Sequence, residues 1–171
     1  MQERTGVTQM HGNPITLIGP ELNIGDKAPD FTVTDNDLNP VKLSDYDSKV
    51  IVISAVPSLD TPVCDLETQK FNSHASELGK DIKILTISMD LPFAQKRWCG
   101  ANNVEDVITL SDHKDASFGK TFGVLIKELR LLARAVFVLD EKRVIKDIII
   151  LEEVTKEPDY NRVIESVKKL V

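Results

Sequence analysis

The 171-residue chain has little cysteine, tryptophan or histidine: two, one and three residues respectively. Two cysteines are too few for a disulfide scaffold in a chain of this length. They are also too few for a structural zinc site without help from histidine, and His11, His74 and His113 are scattered without ligand spacing. No metal is therefore expected. Basic residues are in deficit, with 21 Lys and Arg against 27 Asp and Glu and a net charge of −6. That balance argues against nucleic acid or an anionic membrane as a partner. No apolar run approaches the ~20 residues of a membrane helix, and Met1 to Val7 contain no apolar segment of the secretory kind. Repeats, low-complexity tracts and linker-like stretches are lacking as well. The expectation is a cytoplasmic chain whose residues 1–171 form one domain. In such a chain two cysteines are either buried apolar residues or a redox pair.

What is present is a globular composition, 42% hydrophobic and 28% charged, and a clear order of elements. Gly6 to Leu22, turning at His11-Gly12-Asn13-Pro14, reads as an N-terminal β-hairpin. A short strand follows at Phe31 to Thr34, and Leu43-Ser44-Asp45-Tyr46 reads as a turn or a single helical turn. Val50 to Ala55 is a continuous, mostly β-branched run that suits a central strand buried on both faces. A helix is predicted from Thr61-Pro62 to about Gly79, and a second buried strand over Ile82 to Ser88. Another helix runs from Pro92 to Ala101, stopped at Gly100. A third strand covers Val107 to Leu110, and a short helix Ala116 to Phe122. Ala135 to Leu139 and Val144 to Leu151 read as an antiparallel pair. Pro158 to Val171 closes the chain as a helix with Val163, Ile164, Val167 and Leu170 inward. Strand–helix–strand units followed by a hairpin give an α/β core with a mixed central sheet flanked by helices. That order is compatible with a thioredoxin-like fold and with other three-layer arrangements.

Cys64 stands at a helix start. Thr61 is a good N-cap and Pro62 suits the first helical position, which makes Cys64 the third helical residue. Unpaired N–H groups and the positive end of the helix dipole favour a thiolate there. Cys64 also shares its helix face with Phe71, Ala75 and Leu78, so it is expected to be partly sunk against the sheet. Burial disfavours a thiolate, so a nearby cation is expected. From spacing alone, a small buried core residue is an equally good reading. Cys99 lies in the last turn of its predicted helix, where the dipole disfavours a thiolate. That asymmetry nominates Cys64 as the attacking sulfur and Cys99 as the later one, although Cys99 also reads as a structural residue beside Trp98. A disulfide needs Cα atoms about 5.5–6 Å apart, so pairing of two helix ends calls for local unwinding.

Pro57-Ser58-Leu59-Asp60-Thr61-Pro62-Val63-Cys64 resembles the active-site segment of the thiol peroxidase branch of the peroxiredoxins. Ser88 to Ala101 resembles the family's resolving-cysteine helix, and Leu132 to Asp140 the segment carrying its active-site arginine. Gly12-Asn13-Pro14-Ile15 and Glu157-Pro158-Asp159-Tyr160 match as well, so the resemblance runs along nearly the whole chain. It implies a thioredoxin-like fold and a peroxidase cycle without metal or organic cofactor. Cys64 becomes the peroxidatic cysteine and Cys99 the resolving cysteine of the same chain. Thr61 orients the thiolate and the peroxide. Arg134 supplies the cation, and Pro57 shapes and shields the pocket. The implied partners are a hydroperoxide, thioredoxin as reductant and a second copy in a homodimer. The stretch Gly123 to Arg130 departs from the pattern, because it is shorter and lacks expected glycines. A protein-acting thiol–disulfide oxidoreductase would carry Cys-x-x-Cys, which is lacking. A redox sensor would need the same reactive thiolate and is not separated by sequence.

Overall fold

The computed structural model describes residues 1–102 and 107–171, apart from the side chains of Ala75 and Ser76. The expected Ala75 contact therefore lies outside the described residues. The strands are β1 (Glu3–Met10), β2 (Asn13–Ile18), β3 (Thr32–Thr34), β4 (Pro40–Lys42), β5 (Val50–Ala55), β6 (Ile82–Ser88), β7 (Val107–Ser111), β8 (Leu125–Ile126), β9 (Leu131–Leu132), β10 (Ala135–Leu139) and β11 (Ile145–Ile150). The helices are α1 (Pro62–Leu78), α2 (Pro92–Asn102), α3 (Ser117–Thr121) and α4 (Tyr160–Lys168).

β5 is buried along its whole length, as its β-branched run requires. It pairs in parallel with β6, and β6 in parallel with β7, while β10 pairs antiparallel with β5. The large sheet reads β11-β10-β5-β6-β7-β3-β4, so it is mixed. Alternation along β5 sends its residues to two cores. Val50, Val52 and Val56 join Phe71 of α1, Trp98 of α2 and Val163 of α4 on one face. Ile51, Ile53 and Ala55 join Phe118 and Phe122 around α3 on the other. This is a thioredoxin-like α/β arrangement with the N-terminal strand pair expected.

Three details differ from the sequence reading. The hairpin turns at His11 and Gly12, both with positive φ (51° and 80°), and Asn13 and Pro14 already belong to β2. Two successive left-handed residues give a turn whose twist suits the strands. Gly100 does not stop α2; the helix passes through it to Asn102, whose amide Nδ2 donates to the Trp98 carbonyl. Gly123 to Arg130, to which the sequence reading gave no strand, is partly extended. It supplies β8, which pairs with β2, and leads into β9, completing a second sheet of order β1-β2-β8-β9. Strands of two residues carry no readable periodicity.

Candidate active site

The first turn of α1 forms as its local chemistry dictates. Thr61 is extended at the N-cap, and its Oγ1 accepts from the Cys64 backbone N–H at 3.3 Å while donating to the Ser58 carbonyl at 3.1 Å. Pro62 occupies the first helical position, and Thr68 Oγ1 donates to the Cys64 carbonyl at 2.8 Å. Cys64 is 0% exposed, more deeply sunk than its spacing suggested. Phe71 is buried below it, and Leu78 packs on the same cluster. Pro57, two residues after the end of β5, is buried too.

Arg134 stands just before β10 and is 2% exposed. Its guanidinium makes a three-way cradle. Nη2 donates to Cys64 Sγ at 2.9 Å, Nε to the Val154 carbonyl at 2.7 Å, and Nη1 to Glu67 Oε2. Arg130, by contrast, is exposed. Glu67 is 0% exposed, and its second oxygen accepts from Ser54 Oγ of β5 at 2.9 Å. Burial pushes the Glu67 carboxyl above the ordinary range, against the opposing pull of Arg134 and Ser54. Burial also works against the Arg134 charge, but Glu67 and Cys64 outweigh it and hold the guanidinium above its usual value. The guanidinium is thereby fixed, out of reach of water, with Nη2 against the Cys64 sulfur.

Glu67 escaped the sequence reading. Its signal was available: it lies three residues after Cys64, on the same helix face as Cys64 and Phe71, where a charge is out of place without a partner. Asp90 was missed as well. Its carboxylate accepts from Ser58 Oγ at 2.7 Å, the Leu59 N–H at 2.8 Å and Ser88 Oγ at 2.8 Å, so it holds the Ser58-Leu59 loop to the end of β6. No local pattern announces such a loop-to-loop contact.

The sequence-predicted residues do not all come together. Cys64, Thr61 and Arg134 meet. Cys99 stands apart, partly buried, with Sγ 3.4 Å from Thr109 Oγ1 on β7. Both cysteines are free. Thr109 is in register with Thr86, Ser54 and Val136 on successive strands. Arg134, which holds the Cys64 sulfur, directly precedes β10, and β10 lies three strand spacings from β7, about 14 Å across the sheet at roughly 4.8 Å each. The two helices are nonetheless tied: Trp98 Nε1 donates to Asp65 Oδ1 at 2.8 Å. An open groove of about 400 Å³ lies here, lined by Leu59, Asp60, Thr61, Pro62, Asp65, Trp98 and Asn102. Among the described residues no group of His, Cys, Asp and Glu is arranged to hold a metal, and no helix is long and apolar enough to cross a membrane.

The profile of the Redoxin family matches residues 23–164. Thiol peroxidase of Bacillus subtilis (strain 168) is 55% identical over 160 residues, covering 94% of this chain and 95% of that protein. Thiol peroxidase of Staphylococcus aureus (strain Mu50) is 56% identical, covering 93% and 96%. The crystal structure of a peroxiredoxin-like protein from Aquifex aeolicus superposes with a TM-score of 0.90 at 41% identity, covering 98% of each chain. Thiol peroxidase from Chromobacterium violaceum, at 19% identity and a TM-score of 0.84, shares the fold. A buried cysteine at a helix start, family profile and relatives agree, and the chain belongs to the Redoxin family, among its thiol peroxidases.

Proposed function

We propose that this thiol-dependent peroxidase reduces hydrogen peroxide and alkyl hydroperoxides through Cys64 and is recycled by thioredoxin. The observation that carries the reading is the Arg134 guanidinium donating to Cys64 Sγ at 2.9 Å in a site closed to water. The Cys64 thiolate attacks one peroxide oxygen and the O–O bond breaks. The other oxygen leaves as alcohol or water with a proton, and Cys64 becomes a sulfenic acid. Arg134 and the Thr61 hydroxyl polarise the peroxide, while Pro57 closes the pocket. The Thr61 hydroxyl proton already goes to the Ser58 carbonyl, so the hydroxyl must release Ser58 to donate to substrate.

Cys99 then attacks the Cys64 sulfur, hydroxide leaves as water, and an intramolecular disulfide forms. Thioredoxin's dithiol reduces it. No metal or organic cofactor enters the cycle. Residues 1–171 act as one domain, because Ile15, Leu17 and Leu125 of the small sheet share a core with Ile51 and Ile53 of the large one. The enzyme works as a cytoplasmic homodimer, in a reducing compartment where a dithiol such as thioredoxin's returns both cysteines to thiols after each turnover.

The test is turnover with thioredoxin, thioredoxin reductase and NADPH. Cys64→Ser is expected to abolish it. Cys99→Ser is expected to form one sulfenic acid per chain and then stall. Full turnover by Cys64→Ser overturns the mechanism, and unchanged recycling by Cys99→Ser removes Cys99 from it.

A further inference from the structure

The two sulfurs are held by different partners, Arg134 and Thr109, so resolution is a conformational problem, and the structure shows what fixes the two segments in this arrangement. Asp65 directly follows Cys64, and Trp98 directly precedes Cys99. The hydrogen bond from Trp98 Nε1 to Asp65 Oδ1, at 2.8 Å, therefore ties the immediate neighbours of the two cysteines to each other. Trp98 is 8% exposed and sits in the same apolar cluster as Cys64, so its ring also pins this end of α2 to the α1 core. Meanwhile Cys64 Sγ is held by Arg134, and Cys99 Sγ by Thr109 on β7. Asp65 Oδ1 takes a second donor, Gln69 Nε2 at 3.0 Å, from its own helix. That bond gives the Trp98 tether a helical footing that exists only while the first turn of α1 is wound. Unwinding that turn to carry Cys64 from Arg134 toward Cys99 removes the acceptor from Trp98.

We infer that the Trp98–Asp65 hydrogen bond is a latch that holds the attack-ready arrangement and sets the rate of disulfide formation, and with it the fraction of Cys64 over-oxidised. Trp98 and Asp65 are positioning residues: they hydrogen-bond to each other, while Arg134 holds the Cys64 sulfur, and they act through the turn that carries it. The inference rests on Cys99 being the resolving thiol. A sulfenic acid that waits for Cys99 can meet a second peroxide and become a sulfinic acid. A tighter latch lengthens that wait, and a looser one shortens it.

The experiment compares wild type with Trp98→Phe, which keeps a ring and removes the donor, and Asp65→Ala, which removes the acceptor and leaves the indole. The double variant closes the cycle. Circular dichroism establishes that each folds. Disulfide formation after one equivalent of cumene hydroperoxide is followed by quenched-flow mass spectrometry, and sulfinic acid is counted after a fixed peroxide excess. Each single variant is expected to form the disulfide roughly fivefold faster, the net worth of one such bond, with the sulfinic fraction falling in proportion. The double variant is expected to be no faster than the singles. Unchanged or slower disulfide formation in both single variants overturns the latch. So does a double variant in which the two accelerations multiply, since the residues then act independently. If wild type forms no Cys64–Cys99 disulfide, the assignment of Cys99 fails first and the latch falls with it, a result distinct from the other two.

Discussion

Replacing Arg134 with methionine keeps much of the buried volume and removes the charge. Three acceptors lose a donor at once: the Cys64 sulfur, the Glu67 carboxylate and the Val154 carbonyl. Glu67 is 0% exposed, so water does not take the place of the guanidinium. Removing one partner of a buried ion pair costs about 3–5 kcal/mol, a large share of the ~5–15 kcal/mol by which domains are stable. The cost depends on pH with a definite sign. Burial already holds the Glu67 carboxyl above its ordinary value, and loss of Arg134 raises it further. The native carboxyl then keeps a proton that the unfolded chain has released. Stability falls as pH rises, by up to ~1.4 kcal/mol per pH unit, until the native value is passed. Arg134→Met is therefore expected to lie closest to the parent near pH 5 and furthest from it at pH 8. Adding Glu67→Gln removes the second charge, and the new amide still pairs with the Ser54 hydroxyl. What remains are the Val154 carbonyl and the Cys64 sulfur without their donor, the carbonyl costing about 1–2 kcal/mol and the weakly accepting thiol less. Urea unfolding of the reduced proteins at pH 5, 7 and 8 measures stability, and stopped-flow oxidation by cumene hydroperoxide measures chemistry. The double variant is expected to regain roughly 2–3 kcal/mol over the single one, while both oxidise on the order of 10²-fold more slowly than the parent. A single variant as stable as the parent at pH 8, or a double variant with the parental oxidation rate, refutes the reasoning.

Two further predictions concern the frame. The Asp112 carboxylate accepts from the Phe118 and Gly119 N–H groups at 3.0 and 2.8 Å, and burial pushes its value up to about 6. A raised native value favours the folded state at low pH, so this group takes away about 3 kcal/mol as pH climbs from about 4 to 6. Thermal melts of Asp112→Asn are expected to lose that slope; an unchanged slope removes Asp112 as its source. Gly123 has a φ of +69°, and a Cβ there would sit 2.0 Å from the Pro20 carbonyl oxygen. Gly123→Ala is expected to lose roughly 2–4 kcal/mol in urea unfolding. Gly25→Ala, with a φ of +99° but open space around it, is expected to lose only about 1 kcal/mol of backbone strain. Equal losses would show that the close approach to Pro20 is immaterial.

What could be read from sequence was local. Thr61, Pro62 and Cys64 lie within one helical turn, so capping chemistry alone places the sulfur at a helix start. β5 and β6 announce themselves because strands buried on both faces read as near-continuous apolar runs, broken here only by Ser54 in β5 and by Lys83, Thr86 and Ser88 in β6. The need for a cation beside a buried thiolate could be argued in advance, and the family pattern pointed to Arg134. Only tertiary structure decided how that cation is held. Glu67 and Ser54 come from α1 and β5, and Val154 from beyond β11, so their meeting depends on sheet order, which no short-range pattern encodes. The same holds for the small sheet, whose two-residue strands β8 and β9 exist because β2 offers them an edge. It holds again for α2, which runs through Gly100 because its end is fastened by Asn102 and Trp98, where glycine's intrinsic preference would have ended it. Sequence determined which sulfur stands at a helix start; the packing of strands far apart in the chain decided that it is sealed from water, held by an arginine and kept away from its partner.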